Sequence, residues 1–539
     1  MNSPIGQSFD RRGSIPIGLA YIMSYLRSEG IESDGYDLSN SGKSAEELVD
    51  EYRLASYDVV GFSVYNESFF PTVGLANEIK RRNPDSFLLC GGPQATATHD
   101  AIIEGFDGID AVIRREGEHP TLRLIQELRG GRGLEAVPNL TYRSGSQVVA
   151  NAEMPAIENL DTLPFPDAEF VSEQPYPELT YYDERRQLLV PAITVGTSRS
   201  CPYNCSFCGV LTIGRRYRSR SPENVVEEVE YFRKKHGVEY RHVYFSDANF
   251  FVRGQRALEI VEALHDYDPG ISFSFGTRVN QLLRAEQIIE KMIPLGLRFV
   301  EVGVESASPP VLERLSKGVS PETNVAATRM LQRLGVEIAL DFIMIDPATT
   351  LEDLELNMAF IKDCGFADYY PVDHLYTSLG LYEGTPIREF YEDRLGTTFG
   401  LGTLPDIGPL IEHAETLAFW ETTQSFRRTY QDELDRLLAD TEFLLLDESV
   451  KRVLIEKDSP DFESVRQLQL DSVALRHAPL RFFDAVIGDI RNGLDPRCCD
   501  DVTGLYYGSP PVSLSELMAR TRSLVDELRS SRSAALPHS

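Results

Sequence analysis

Tryptophan occurs once and cysteine only seven times in 539 residues. So few cysteines in so long a chain exclude a disulfide framework. No run approaches the roughly 18–20 apolar residues that cross a bilayer. The opening, MNSPIGQSFDRRGSIPIG, lacks the charged segment, apolar stretch and small-residue cleavage site of a secretory leader. A cytoplasmic location with no membrane partner is expected. Positive charge is scarce as well: 53 Lys and Arg against 83 Asp and Glu leave a net charge of −30. A nucleic-acid binder needs the opposite balance to displace counterions. The one dense basic run, Arg215-Arg216-Tyr217-Arg218-Ser219-Arg220, is short. No nucleic-acid partner is expected, and the acidity reads as solubility.

What the chain does have is alternation. An amphipathic helix from Ile15 to Glu29 is closed by Gly30, and a buried strand follows at Asp58–Ser63. A helix at Pro71–Arg82 leads to a strand at Phe87–Cys90 that runs into Gly91-Gly92. Another strand at Ala111–Ile113 precedes a helix from Pro120. Short apolar strands separated by helices specify a parallel, doubly wound sheet. The chain opens directly into a helix, so either this sheet is one strand short or the start is set too late. From 136 to 185 the pattern breaks into hairpin-like and Pro-rich sequence, including Leu163-Pro-Phe-Pro166, and is read as a linker.

Alternation then resumes, with strands near 192–197, 241–246, 271–275, 298–304, 337–345 and 370–378. Helices fall between them near 221–236, 254–266, 283–295, 321–334 and 350–363. Six such units predict a partial (β/α)6 barrel whose working residues sit at strand C-terminal ends. After Gly384-Thr385-Pro386 the chain is mainly helical, with a Ser/Arg-rich tail at 528–539. The expected fold class is therefore α/β in three parts. A Rossmann-like domain covers 1–135, a barrel 186–386 and a helical domain 387–539.

The chemistry-bearing feature is Cys201-Pro-Tyr-Asn-Cys205-Ser-Phe-Cys208, directly after the first barrel strand. Three closely spaced thiolates hold three corners of a [4Fe–4S] cubane and leave the fourth iron open. The competing reading is zinc, which as a structural ion wants four closed ligands. His236 or His242 would have to supply the fourth, and neither has finger-like spacing. Cys90 and Cys364 lie in apolar contexts and are expected to be buried small hydrophobes. Cys498-Cys499 has no metal spacing of its own.

The triad, with Phe207 just before its last cysteine, resembles the radical S-adenosylmethionine superfamily. The resemblance continues through Ser221-Pro-Glu-Asn224, Phe245-Ser-Asp247, Gly303-Val-Glu-Ser306, Ser316-Lys-Gly318 and Gly384-Thr-Pro386. It implies that Cys201, Cys205 and Cys208 hold the cluster. The open iron then chelates the methionine part of S-adenosylmethionine, and an electron breaks the S–C5′ bond. By position, Glu305 and Ser306 contact the ribose or methionine part, Arg278 pairs with the methionine carboxylate, and Asp247 touches cofactor or substrate. The alternative for these four is a rim ion pair. Asp346-Pro347 departs from the Gly-rich turn of many relatives.

Residues 14–130 resemble the cobalamin-binding domain of B12-dependent members of that superfamily. The signposts are Pro16-Ile-Gly-Leu-Ala20, Gly61-Phe-Ser63, Gly91-Gly92-Pro93 and Glu116-Gly-Glu118. Glycines at a strand end let a flat ligand approach the backbone. The resemblance implies that Ser63, Gly91 and Gly92 meet the nucleotide tail and that Thr96 caps the helix beside it. An Asp-x-His-x-x-Gly motif, which would give cobalt a histidine, is missing. Its place holds Asp10-Arg-Arg-Gly-Ser14, and the first histidine is His99, expected to face solvent. Arg11 or Arg12 would approach the lower face without bonding.

Together these resemblances imply a cobalamin-dependent radical enzyme. The expected activity is methyl transfer to an unactivated carbon of a small metabolite or peptide, with electrons from a flavodoxin- or ferredoxin-type donor. The alternatives are a rearrangement, cyclisation or ring contraction without methyl transfer, or a non-catalytic corrinoid or Fe–S carrier. Asp373, His374, Tyr376 and Tyr382 are the candidate substrate contacts. The helical tail from 387 is expected to close the barrel mouth.

Overall fold

The computed structural model describes residues 15–39, 41–172, 180–183, 188–214, 216–366, 375–447, 450, 453, 459, 461–496 and 512–533. The first sheet is built on β1 (Val59–Ser63), β2 (Phe87–Gly91) and β3 (Ala111–Ile113), which run parallel in that order. Helix Phe69–Arg82 connects the first two and packs Phe69, Leu75, Ala76 and Ile79 against them, each with 0% exposure. Helices Ile17–Ser28 and Glu118–Arg129 pack against each other on the other side through Ile22, Leu26, Leu122 and Ile125. Among the described residues β1 forms one edge of the sheet.

The hairpin of β4 (Leu140–Ser144) and β5 (Gln147–Ala150) corrects the expected boundary. It joins β3 antiparallel and completes a five-stranded sheet, so the linker begins near 151 and not at 136. Residues 140–142 are buried on this sheet, which a polar flank at Ser144-Gly145-Ser146 concealed in the sequence.

The second sheet begins with an antiparallel edge strand, β6 (Thr180–Asp183), which was not anticipated. Five parallel strands follow: β7 (Leu188–Val195), β10 (His242–Phe245), β11 (Ser272–Arg278), β12 (Leu297–Glu305) and β13 (Glu337–Phe342). Between β7 and β10 the chain forms a two-residue ribbon, β8 (Ser198–Arg199) with β9 (Arg218–Ser219). Most of the expected sixth strand lies outside the described residues. Within them the ladder continues as one parallel bridge from Ile345 to Ser378. The outward faces of these strands, among them Ile193, Val243, Phe273, Val300 and Leu340, fill one core with the surrounding helices.

That core runs on into the C-terminal helices through Phe419, Phe426, Phe482 and Phe483. The 30-residue helix Phe462–Arg491 lies along helix Leu351–Asp363, fixed by Lys362–Asp484 (2.9 Å) and Arg491–Glu355 (2.7 Å). This long helix therefore buttresses the barrel wall. Helix Pro386–Leu395 is the part that reaches the cysteine loop, where Ile387 N donates to Ser206 O at 3.0 Å.

Candidate active site

Strand β7 ends at Val195, and the chain then turns through Gly196, Thr197 and the β8 ribbon into the loop 201–208. Asp247, at the end of β10, shapes this turn. It accepts from Thr197 N at 3.0 Å and Thr197 Oγ1 at 2.9 Å, and from Ser198 Oγ. Its carboxylate is thus spent on backbone architecture, although burial holds its pKa above the ordinary value. Ser246 and Ala248 on either side of it line the neighbouring cavity.

Cys201, Cys205 and Cys208 are all free thiols. Cys205 is buried and receives a hydrogen bond from Arg278 Nη1, at the end of β11. Burial raises the pKa of Cys201 and of Cys208, so a bound metal is what would draw out their thiolates. Glu305, at the end of β12, adopts φ +63° and pairs with Lys317 Nζ at 2.6 Å. That lysine stands 6.0 Å from the centre of the Phe207 ring. The loop is therefore ringed by a buried guanidinium, an ammonium and a carboxylate.

This donor set fits a [4Fe–4S] cluster. Three soft thiols share one loop, and a cation faces one of them. The histidines weighed as zinc ligands are engaged elsewhere. His236 Nε2 contacts Ala168 O at 2.8 Å, and His242 lies between Ser272 Oγ (2.9 Å) and Ser274 Oγ (2.7 Å), its pKa pushed down to about 3 by burial. Among the described residues no three His, Cys, Asp or Glu side chains converge on a single-ion site.

Other sequence-derived contacts resolve differently. Ser306 is fully buried; its hydroxyl donates to Asn357 Oδ1 at 2.8 Å and accepts from Ser308 N, so it stabilises a turn. Tyr376 packs edge-to-face on Phe483 with Arg427 over its ring, in the seam with the C-terminal helices. Asp373 and His374 lie outside the described residues. Tyr382, by contrast, lines the cavity described next. Cys90 and Cys364 are buried as expected, their thiols pushed up to about 12 and about 11.

One cavity of about 1290 Å³ joins the two sheets. Its wall includes Ser63, Gly91 and Gly92 from the first domain and Phe207, Cys208 and Gly209 from the cysteine loop. A Cβ on Gly91 would meet only Ile113 O, at 3.6 Å, so the open side of that glycine is space for a ligand. Gly92 differs: it has φ +100°, and a Cβ there would lie 2.8 Å from Val64 O. Backbone geometry alone accounts for it. Thr96 accepts from Arg115 N at 2.9 Å and steadies the loop after β3. His99 contacts Thr141 Oγ1 at 3.0 Å and is neither in the cavity wall nor turned fully to solvent. The space and its glycine margin fit a corrinoid.

Ion pairs fix the two domains across this cavity, and no local sequence pattern announces them. Arg199 donates to Glu118 at 2.6 Å, and Arg218 pairs with Glu116 at 2.7 Å. On the opposite rim Glu383 accepts from Gln94 Nε2 at 2.5 Å and from Asn66 Nδ2 at 3.3 Å. The described arginines of the basic run are thereby consumed: Arg216 pairs with Glu158, Arg218 with Glu116 and Arg220 with Glu228.

A family model for the radical SAM superfamily matches residues 195–361, and one for the B12 binding domain matches residues 14–125. The chain is 30% identical over 382 residues to the uncharacterized methyltransferase PH0819 of Pyrococcus horikoshii, covering 70% of this chain and 78% of that protein. It is 27% identical over 377 residues to the anaerobic magnesium-protoporphyrin IX monomethyl ester cyclase of Rubrivivax gelatinosus, 68% of this chain and 66% of that one. The cobalamin-dependent S-adenosylmethionine radical enzyme OxsB, solved with aqua-cobalamin and S-adenosylmethionine bound, shares the fold. The TM-score is 0.64 at 18% identity, over 96% of this chain and 78% of that one. The cysteine loop, the glycine-edged sheet and the cavity between them are thus those of a family to which this chain belongs, the B12-binding members of the radical SAM superfamily.

Proposed function

We propose that this enzyme transfers a methyl group to an unactivated carbon of a small metabolite or peptide. The observation that carries the reading is that Cys208 and the Gly91–Gly92 turn line one and the same cavity. When bound, the cluster and S-adenosylmethionine supply a 5′-deoxyadenosyl radical, and cobalamin supplies the methyl group. The chain's part is to bind and align. Cys201, Cys205 and Cys208 anchor the cluster, and Lys317 and Glu305 border the place where S-adenosylmethionine would sit. The ion pairs of Arg199 and Arg218 and the amide hydrogen bonds to Glu383 fix the spacing between the two cofactor domains. A non-catalytic carrier would have no use for so many buried charges around the loop. The electron donor is of flavodoxin or ferredoxin type.

A second reading, ring formation without methyl transfer, is favoured by the name of the cyclase relative. Anaerobic turnover of the reconstituted enzyme with S-adenosylmethionine labelled at its methyl separates the two. Methyl transfer yields both 5′-deoxyadenosine and S-adenosylhomocysteine and a labelled product. Ring formation yields 5′-deoxyadenosine with an unlabelled product and no S-adenosylhomocysteine.

A further inference from the structure

Below the cysteine loop the barrel interior carries charge where a closed barrel has branched apolar side chains. On β12, Val300, Val302 and Val304 face the helices with 0% exposure, which turns Glu301, Gly303 and Glu305 inward. On β13, Leu340 and Phe342 face out and Asp341 faces in. Asp341 pairs with Gly303 on the neighbouring strand, which sets its carboxyl diagonally beside that of Glu301, and Tyr244 OH donates to Glu301 Oε2 at 2.6 Å. Lys317, a cation whose field reaches Asp341, is committed to Glu305.

An independent observation points to a ligand at the same level. Thr194 is paired in register with Tyr244, and its neighbours Ile193 and Val195 face outward with 0% exposure, so Thr194 faces the interior. Its residue is 9% exposed, and among the described residues its hydroxyl has no hydrogen-bond partner. Gly276 lies against Glu301, where a Cβ would be in ordinary van der Waals contact with the carboxyl at 3.8 Å.

We infer that the barrel interior binds the substrate through a protonated amine held between Glu301 and Asp341, with Tyr244 and Thr194 beside it. The inference rests on the proposed reading in one respect: the reacting carbon lies at the cluster end of the same barrel. Two adjacent carboxyls in a dry interior do not both ionise. Burial and the charges of Glu301 and Glu305 accordingly push Asp341 up to about 8. An arriving ammonium ion displaces the remaining proton and lets both carboxylates accept from it. A neutral hydroxyl gains a hydrogen bond without displacing that proton. Glu301 precedes Glu305 by four residues, so it lies roughly 13 Å deeper along the strand at about 3.3 Å per residue. The substrate is therefore elongated, with its amine remote from the carbon that reacts.

The test is calorimetry of the reconstituted full chain with n-hexylammonium chloride, in two buffers of different ionisation enthalpy, beside n-hexanol. The expected result is hexylammonium binding with release of about one proton per site near neutral pH, and weaker binding of hexanol with none. Glu301→Gln and Asp341→Asn should each weaken hexylammonium at least about tenfold, and Asp341→Asn should remove the proton release. Tyr244→Phe and Thr194→Val, which remove one hydroxyl or replace it by methyl, should weaken it a few-fold and cover the case of a carboxylate variant that fails to fold. Equal binding by all variants, or equal binding of hexanol, would overturn the site. Loss of hexylammonium binding when S-adenosylmethionine is added would overturn it too, by assigning the cation to that cofactor. Cleavage of S-adenosylmethionine on the same samples reports the radical reading separately. Cleavage with no amine binding sinks only this inference, and amine binding without cleavage sinks only that reading.

Discussion

Arg278 donates a hydrogen bond to Cys205 Sγ while its guanidinium lies over the Tyr203 ring, 4.2 Å from the centroid. The sequence suggests that this arginine pairs with the methionine carboxylate; in the structure its hydrogen bond goes to Cys205, one of the proposed cluster ligands. A cation at a thiolate favours the more negative, reduced cluster. Losing about 1.5 kcal/mol of charge-assisted bonding corresponds to roughly 60 mV in a one-electron couple. Arg278→Gln is therefore expected to lower the cluster midpoint by that order, read by an EPR-monitored redox titration. A carboxylate-pairing role would instead weaken S-adenosylmethionine binding and leave the midpoint unmoved.

If the three loop cysteines hold one cluster, they act as a unit. Cys201→Ala, Cys205→Ala or Cys208→Ala should each lower iron content and abolish formation of 5′-deoxyadenosine, measured on anaerobically reconstituted protein. Cys90→Ala and Cys364→Ala, at buried sites away from the loop, should keep full iron and lose on the order of 1 kcal/mol of stability by denaturant titration.

How far the sequence could be read depended on which kind of signal a residue carried. The cysteine spacing needs no tertiary information, and the strand–helix periods follow from burial on one face, so both were legible. Side-chain direction was not. Asp247 and Ser306 hold the motif positions, yet each turns to a neighbouring segment, Thr197–Ser198 in one case and Asn357 in the other. The partners of Glu116 and Glu118 lie 102 and 81 residues away, and no local pattern announces pairs so remote. Glu301 and Asp341 were missed for a related reason. A charge inside a strand reads as the solvent face, and only closure of the barrel turns that face inward.

The two glycines after β2 are expected to behave differently. Gly91→Val projects its side chain into the cavity and meets only Ile113 O nearby, so it should abolish cobalamin uptake while iron and folding persist. Gly92→Val forces a β-branched residue to φ +100° and into Val64, which should destabilise the domain by several kcal/mol. Cobalt and iron content together with a thermal melt distinguish the two. Full cobalt in folded Gly91→Val would mean that the ligand runs elsewhere.

The last expectation concerns the lower face of cobalt. Among the described residues no histidine lines the cavity. The first in the chain, His99, is held by Thr141 and by Asp100, and burial lowers its pKa, so its ring is committed to those partners. Arg11 and Arg12 fall outside the described residues, but a guanidinium stays protonated and offers no lone pair in any case. If the nucleotide tail lies along Ser63 and Gly91, its own base is also withdrawn from the metal. Cobalt would then lack a nitrogen donor below, which would favour low coordination and ease its reduction. EPR of the Co(II) form should show hyperfine lines without nitrogen superhyperfine splitting. Triplet splitting on those lines would establish an axial nitrogen and contradict either the placement of the tail or the absence of a protein ligand. His99→Ala should leave the spectrum unchanged, because the side chain it removes supports Thr141 and not the cofactor.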